Sequence, residues 1–155
     1  MRLGSFIIGF CALFSFALSA EVIREWDFSG GKLPTGFVYD KKQIAPEVKK
    51  GSLSLKLLTR PESGPTHSVM AGLQAEQEFK GGVKYRLTFM LRSDRDAQVG
   101  VNVQLIRQPY PTMPGSGKTI NVNTDWTPVE LVFIPKEDIK GPFRTPQLQL
   151  GRYPV

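Results

Sequence analysis

Hydrophobic and polar residues alternate with a period of two along several short segments of the chain. The clearest cases are residues 51–57, 85–92 and 99–106. Side chains at alternate positions of a β-strand point to opposite faces, so each of these segments predicts a strand with one buried and one solvent-facing side. No segment keeps the 3.6-residue period of an amphipathic helix.

Further strands are expected where shorter alternating runs are bounded by glycine, proline or acidic turns. These runs cover residues 21–28, 68–79, 119–123, 128–134 and 147–150. The two runs on either side of Thr124-Asp125 predict a hairpin, and a proline-rich loop is expected over residues 107–117. Many short strands at regular spacing, with no sign of a second domain, favour one all-β sandwich or barrel.

The first twenty residues have the pattern of a secretory signal peptide. A positive start is followed by an uncharged, mostly apolar run over residues 3–18 and by small residues up to Ala20. We therefore predict export, with a mature domain over residues 21–155 that is secreted to the periplasm or the extracellular medium. An uncleaved membrane anchor is the alternative, although the apolar run is shorter than the roughly 20 residues that a spanning helix needs.

Composition narrows the expected partners. Cys11 is the only cysteine and lies in the leader, so an exported domain over 21–155 would be stabilised by its core and not by disulfides. The chain has 20 basic and 14 acidic side chains, a formal net charge of +6. The basic residues are scattered over turns and strand ends, which, together with export, argues against nucleic acid as a partner. Weak attraction to acidic polysaccharides stays open.

The residues that often carry catalysis do not form a catalytic or metal site here. The segment 114–119 resembles a phosphate-binding loop, but the pattern needs a glycine where Thr112 stands. His67 is the only histidine, so a zinc site or a nucleophile–histidine triad would have to rest on this single residue. Glu76 and Glu78 share one face of one strand, so they cannot flank a glycosidic bond as glycosidase carboxylates do.

Several segments, in this order and spacing, resemble carbohydrate-binding modules of the family 4 and family 9 type. They are residues 51–55, 82–94, 99–104, 124–126 leading to Phe133, and 147–151. The resemblance covers nearly all of residues 21–155. It implies a galactose-binding-like jelly-roll β-sandwich and a non-catalytic module that binds an oligo- or polysaccharide, usually beside the catalytic domain of a secreted glycoside hydrolase.

The chain departs from this family at its C-terminal end. The family closes with a further strand after a glycine like Gly151, whereas this sequence stops at Val155. The sandwich is therefore expected to lack its closing strand, and the sequence to be a fragment or a truncated reading frame. The resemblance also implies a structural calcium ion held by an acid near the first strand, where Asp27 stands, and by an acid on the closing strand. Because the second acid has no counterpart, no cofactor is assigned.

The alternation also predicts a binding face. If the apolar residues of the strands face the core, their polar neighbours face away from it and offer amide and guanidinium groups to sugar hydroxyls. A tyrosine in the proline-rich loop would stack on a sugar ring at the rim. The candidate carbohydrate-binding residues are Arg92, Asn102, Gln104, Tyr110, Gln147 and Gln149.

Other interpretations of the polar face and of the chain stay open. The face is also consistent with a merely solvated sheet surface, because wet faces are polar in any sandwich. In that case the chain is a structural spacer or interaction domain without sugar binding. Trp26 and Trp126 are interpreted as core or sheet-edge residues and not as sugar platforms.

Overall fold

The computed structural model of the protein describes residues 22–59 and 65–154. Within these ranges the chain forms nine strands and one short 3-10 helix, Thr66–Ser68. The strands are β1 Phe37–Tyr39, β2 Ile44–Lys49, β3 Ser52–Leu57, β4 Met70–Phe79, β5 Tyr85–Leu91, β6 Ala97–Leu105, β7 Lys118–Val122, β8 Thr127–Phe133 and β9 Ile139–Gln149. The predicted all-β class is confirmed.

The strands pair in three antiparallel groups. The largest is a five-stranded sheet in the order β1-β4-β9-β6-β7, and β2-β3 and β5-β8 form two further pairs. β9, the last described strand, therefore lies in the middle of the large sheet, between β4 and β6. This central strand and its two neighbours carry the polar side chains considered below.

The core lies between the five-stranded sheet and the β5-β8 pair. Phe79 of β4 joins the two layers, with its ring centroid 4.8 Å from that of Phe143 and 5.2 Å from that of Phe133 on β8. Val101, Val103 and Leu131 are almost completely buried in the same cluster. Val101, Val103 and Leu131 occupy apolar positions of alternating runs, so their polar neighbours point away from the core. The side of β6 and β9 that carries those polar neighbours is therefore the outer face of the sandwich.

Two predictions about the strands are wrong. Residues 22–28, the described part of the predicted first strand, form no strand, although Phe28 is buried. The predicted hairpin over residues 119–134 does not form either, because β7 pairs with β6 and β8 pairs with β5. The chain crosses from one layer to the other at Thr124-Asp125, which lets the buried Val122 and Val129 enter the same core from opposite sides.

β9 is longer than its sequence pattern indicates. It begins at Ile139, although Pro142 and Pro146 interrupt the alternation that precedes residue 147. The register of β9 shifts against both neighbours between Arg144 and Gln147, so Pro146 falls in an irregularity where the ladder is already broken. A proline is tolerated at such a bulge because it has no amide hydrogen to contribute there.

The predicted signal peptide, residues 1–20, lies outside the described residues. None of the helical structure in residues 22–59 and 65–154 is long and apolar enough to cross a membrane.

Candidate functional site

The outer face of the five-stranded sheet carries a group of polar side chains contributed by its three middle strands. Strand register places Asn102 of β6 opposite Gln147 of β9, and Gln104 opposite Arg144. On the other side of β9, Arg144 is opposite Gln74 of β4. We call this group the polar face, and its members are Gln74, Asn102, Gln104, Arg144, Gln147 and Gln149.

The centre of the polar face is a buried pair of amide side chains. Gln147 has no exposed surface, and Asn102 is only 6% exposed. The Gln147 Oε1 atom accepts a hydrogen bond of 3.2 Å from Nη1 of Arg144, and Asn102 Nδ2 donates one of 3.3 Å to the Thr112 hydroxyl. Each amide thus has one group paired with a neighbouring side chain.

Arg144 lies across a glycine on the neighbouring strand. A Cβ atom on Gly72 would stand 3.3 Å from both Cβ and Cδ of Arg144 and 2.9 Å from the carbonyl oxygen of Pro146. The absence of a side chain at residue 72 therefore leaves the space in which Arg144 lies against the sheet. Burial lowers the pKa of the Arg144 guanidinium, an effect that the nearby Tyr110 opposes.

Gln149 is placed in the same way at the other end of the polar face. A Cβ atom on Gly100, its register partner on β6, would stand 2.8 Å from Gln149 Oε1 and 3.0 Å from its Cβ. The Gln149 carboxamide therefore extends over the glycine. Two glycines on opposite sides of β9, Gly72 and Gly100, make room for side chains that lie along the sheet.

The proline-rich loop forms the rim of the polar face. Gln104 Nε2 donates a 3.0 Å hydrogen bond to the Tyr110 carbonyl, and the Leu105 amide donates one of 3.0 Å to the Pro111 carbonyl. Tyr110 has a φ of 61°, in the left-handed region that non-glycine residues seldom occupy, and its residue surface is 49% exposed. The loop thus holds an exposed aromatic ring beside Gln104 and Arg144.

Unpaired polar atoms are concentrated in this face. Among the described residues, four buried side-chain polar atoms have no hydrogen-bond partner, and three of them belong to Asn102 (Oδ1), Arg144 (Nε) and Gln147 (Nε2). An unsatisfied buried donor or acceptor costs about 1–3 kcal/mol, which makes such groups rare in folded proteins. The polar face therefore has two donors and one acceptor available for a bound molecule or for water.

The structure brings together five of the six predicted residues. Asn102, Gln104, Gln147 and Gln149 share the outer face of one sheet, and Tyr110 stands at its rim. Arg92 lies outside this group. Alternation predicts on which side of its own strand a residue lies, but it does not predict which sheet that strand joins.

Arg92 instead follows β5, in the opposite layer of the sandwich. Its guanidinium carbon lies 4.7 Å from the ring centroid of Trp126, which is half-buried at the start of β8. This contact is a cation–π interaction between exposed or half-exposed groups. Trp26 is likewise half-buried, with the Arg24 guanidinium carbon 5.9 Å from its ring centroid. Both tryptophans are thus at the margins of the sandwich.

Sequence reasoning missed Arg144 and Gln74 as members of the polar face. Arg144 comes directly after the buried Phe143, so alternation would place its side chain on the outer face. The flanking Pro142 and Pro146, however, interrupt the pattern by which a strand is recognised in the sequence. Gln74 lies on the outward-facing side of β4, as alternation from the buried Phe79 predicts. The sequence does not show that β4 lies beside β9, which is what brings Gln74 next to Arg144.

Asp27, at which the resemblance implies a calcium ligand, is engaged within its own turn. The Asp27 carboxylate accepts hydrogen bonds from the amide and the hydroxyl of Ser29. No group of three or more His, Cys, Asp or Glu side chains suited to a metal ion occurs in residues 22–59 and 65–154. Calcium takes six to eight oxygen ligands, and Asp27 by itself does not supply such a set.

No family model and no curated protein sequence matches the chain. Several solved structures resemble it in three dimensions, including the following two. One is a CBM4 structure, with a TM-score of 0.58 and 16% sequence identity over 70% of this chain and 66% of the other. The second is the apo form of CBM1 of BiXyn10A, with a TM-score of 0.56 and 16% identity over 84% of this chain and 95% of the other. The chain therefore has the jelly-roll fold of carbohydrate-binding modules.

Proposed function

We propose that the protein binds carbohydrate without catalysing a reaction, and that the polar face is the binding site. The observation that carries this proposal is the set of three buried, unpaired polar atoms on Asn102, Arg144 and Gln147. A folded domain keeps such groups at a cost in stability. That cost is understandable if a ligand with closely spaced donors and acceptors pairs them.

Sugar hydroxyls match this set because each hydroxyl both donates and accepts. Asn102 Oδ1 offers an acceptor, whereas Gln147 Nε2 and Arg144 Nε offer donors. The side chains that bond to these amides, Arg144 and the exposed Thr112, can rotate without moving the backbone, which gives a ligand access. The exposed ring of Tyr110 supplies an apolar surface for the C–H face of a sugar ring.

The proposal includes an accessory role beside the catalytic domain of a secreted glycoside hydrolase. Two features support it: the resemblance to modules that occur in such enzymes, and the uncharged segment at residues 3–18. A structural spacer is the competing function, and it predicts no glycan affinity.

Affinity gel electrophoresis against a panel of polysaccharides, followed by titration calorimetry with oligosaccharides, tests the proposal. We expect at least one glycan to bind, and we expect Gln104→Ala and Tyr110→Ala each to weaken binding by about 1–3 kcal/mol with little change in thermal stability. Gln98→Ala is the matched control, because Gln98 is an exposed glutamine at the opposite end of β6 from Gln104 and its amide donates to Asn121 on β7. Absence of affinity for every glycan tested would favour the spacer.

A further inference from the structure

Arg144 is the one charged residue among the members of the polar face, and its guanidinium is incompletely paired. Nη1 donates to Gln147, while Nε is buried and has no partner. No carboxylate of the described residues forms an ion pair with it. Some exposed cations elsewhere in the described chain do have carboxylate partners: Lys80 is 2.9 Å from Asp138, and two further pairs are Arg86–Glu130 and Arg95–Asp94.

A partly buried cation without a carboxylate partner is the reverse of what solvation favours. A cation loses more hydration free energy as it becomes buried, so partly buried cations are normally those with a counter-charge. Burial lowers the pKa of Arg144, which reflects the same loss of hydration. Arg144 thus carries a positive charge that is partly desolvated and has no carboxylate partner among the described residues.

The unoccupied edge of the guanidinium has a definite geometry. Because Nη1 is engaged with Gln147, the free edge consists of Nε and Nη2. Two parallel N–H donors on one planar edge match the two oxygens of a carboxylate. The absence of a Cβ atom on Gly72 leaves room for the aliphatic part of the Arg144 side chain against the sheet.

We propose that the polar face selects glycans that carry a carboxylate, namely uronic-acid-containing polysaccharides, and that Arg144 binds the carboxylate. This inference rests on the proposed carbohydrate-binding function and goes beyond it by naming the substrate class. Asn102 and Gln147 then bind hydroxyls of the same or the adjacent sugar. Glu76, exposed on the same face two residues beyond Gln74, opposes an anion locally, while the formal net charge of +6 favours one at longer range.

The test compares polysaccharides that differ only in their charged group. Glucuronoxylan, polygalacturonate and alginate are each measured against their carboxyl-reduced forms by calorimetry at physiological salt. We expect at least one acidic form to bind about tenfold or more tightly than its reduced form, the size expected of charge-assisted hydrogen bonds. Arg144→Gln abolishes this preference, and Arg144→Lys, which keeps the charge but loses the planar edge, retains only part of it.

Lys140→Gln is the matched control, because Lys140 is an exposed cation on the same strand and the same face. The preference should survive this substitution.

Equal affinity for acidic and reduced forms would overturn the inference and leave the proposed function intact, whereas absence of binding to any glycan overturns both. Equal binding of dextran sulfate, weakened as much by Lys140→Gln as by Arg144→Gln, would show general charge attraction and also overturn it. If Arg144→Gln fails to fold, the reduced ligands and Arg144→Lys still decide.

Discussion

Replacement of Asn102 by leucine should make the protein more stable and a poorer binder. Asn102 is buried, and its Oδ1 atom has no partner. Removing an unsatisfied buried acceptor returns about 1–3 kcal/mol. The change loses one neutral hydrogen bond, to the Thr112 hydroxyl at 3.3 Å, worth about 0.5–1.5 kcal/mol. Thr112 is exposed and regains water, so the net gain is about 1 kcal/mol.

Urea denaturation of the parent and of Asn102→Leu measures this gain as a higher midpoint at constant slope. For a domain of this size, a gain of about 1 kcal/mol corresponds to a melting temperature about 3 °C higher. Affinity for a ligand of the parent should fall about tenfold, the loss of one hydrogen bond. Asn121→Leu is the control, because Asn121 is exposed on β7 and already accepts a bond from Gln98.

Easier unfolding of Asn102→Leu than of the parent, with Asn121→Leu neutral, would contradict the predicted gain in stability. Oδ1 would then be satisfied in solution, for example by an ordered water molecule. If Asn102→Leu is more stable but binds a confirmed ligand as the parent does, Asn102 is not part of the binding site.

Two further predictions concern residues outside the polar face. Arg92→Ala should leave glycan affinity unchanged in calorimetry, because Arg92 lies on Trp126 in the opposite layer; a tenfold loss would move the site there. Asp94→Asn should lower the melting temperature at neutral pH, because hydrogen bonds from Arg95 and Tyr153 lower the pKa of Asp94 from 3.8 to about 2. This stabilisation is complete above pH 3.8 and is lost as the pH falls towards 2, so the two melting curves should converge there; a constant gap would contradict it.

Period-two alternation is a local property, and the sequence alone determined what depends on it. The alternation at residues 85–91 and 99–105 is enough to predict strands and their buried faces, because side chains of a strand must point alternately to the core and to solvent. It therefore also identified Asn102, Gln104, Gln147 and Gln149 as outward-facing. It could not locate β1, which has only three half-buried residues, or β2, where Pro46 and Glu47 follow the buried Ile44 and leave the alternation weak.

Only the tertiary structure decided which outward-facing residues lie together. Strand pairing is set by long-range packing, so Arg92 and Asn102, similar in local sequence pattern, are in opposite layers. The register shift at Thr145-Pro146 aligned Arg144 with Gln104 and Gln74, which counting along the sequence does not reveal. Burial of Gln147 beside a guanidinium that has no carboxylate partner among the described residues is likewise a property of the folded sheet. The strands follow from local chemistry, whereas the site follows from the way in which the core pairs those strands.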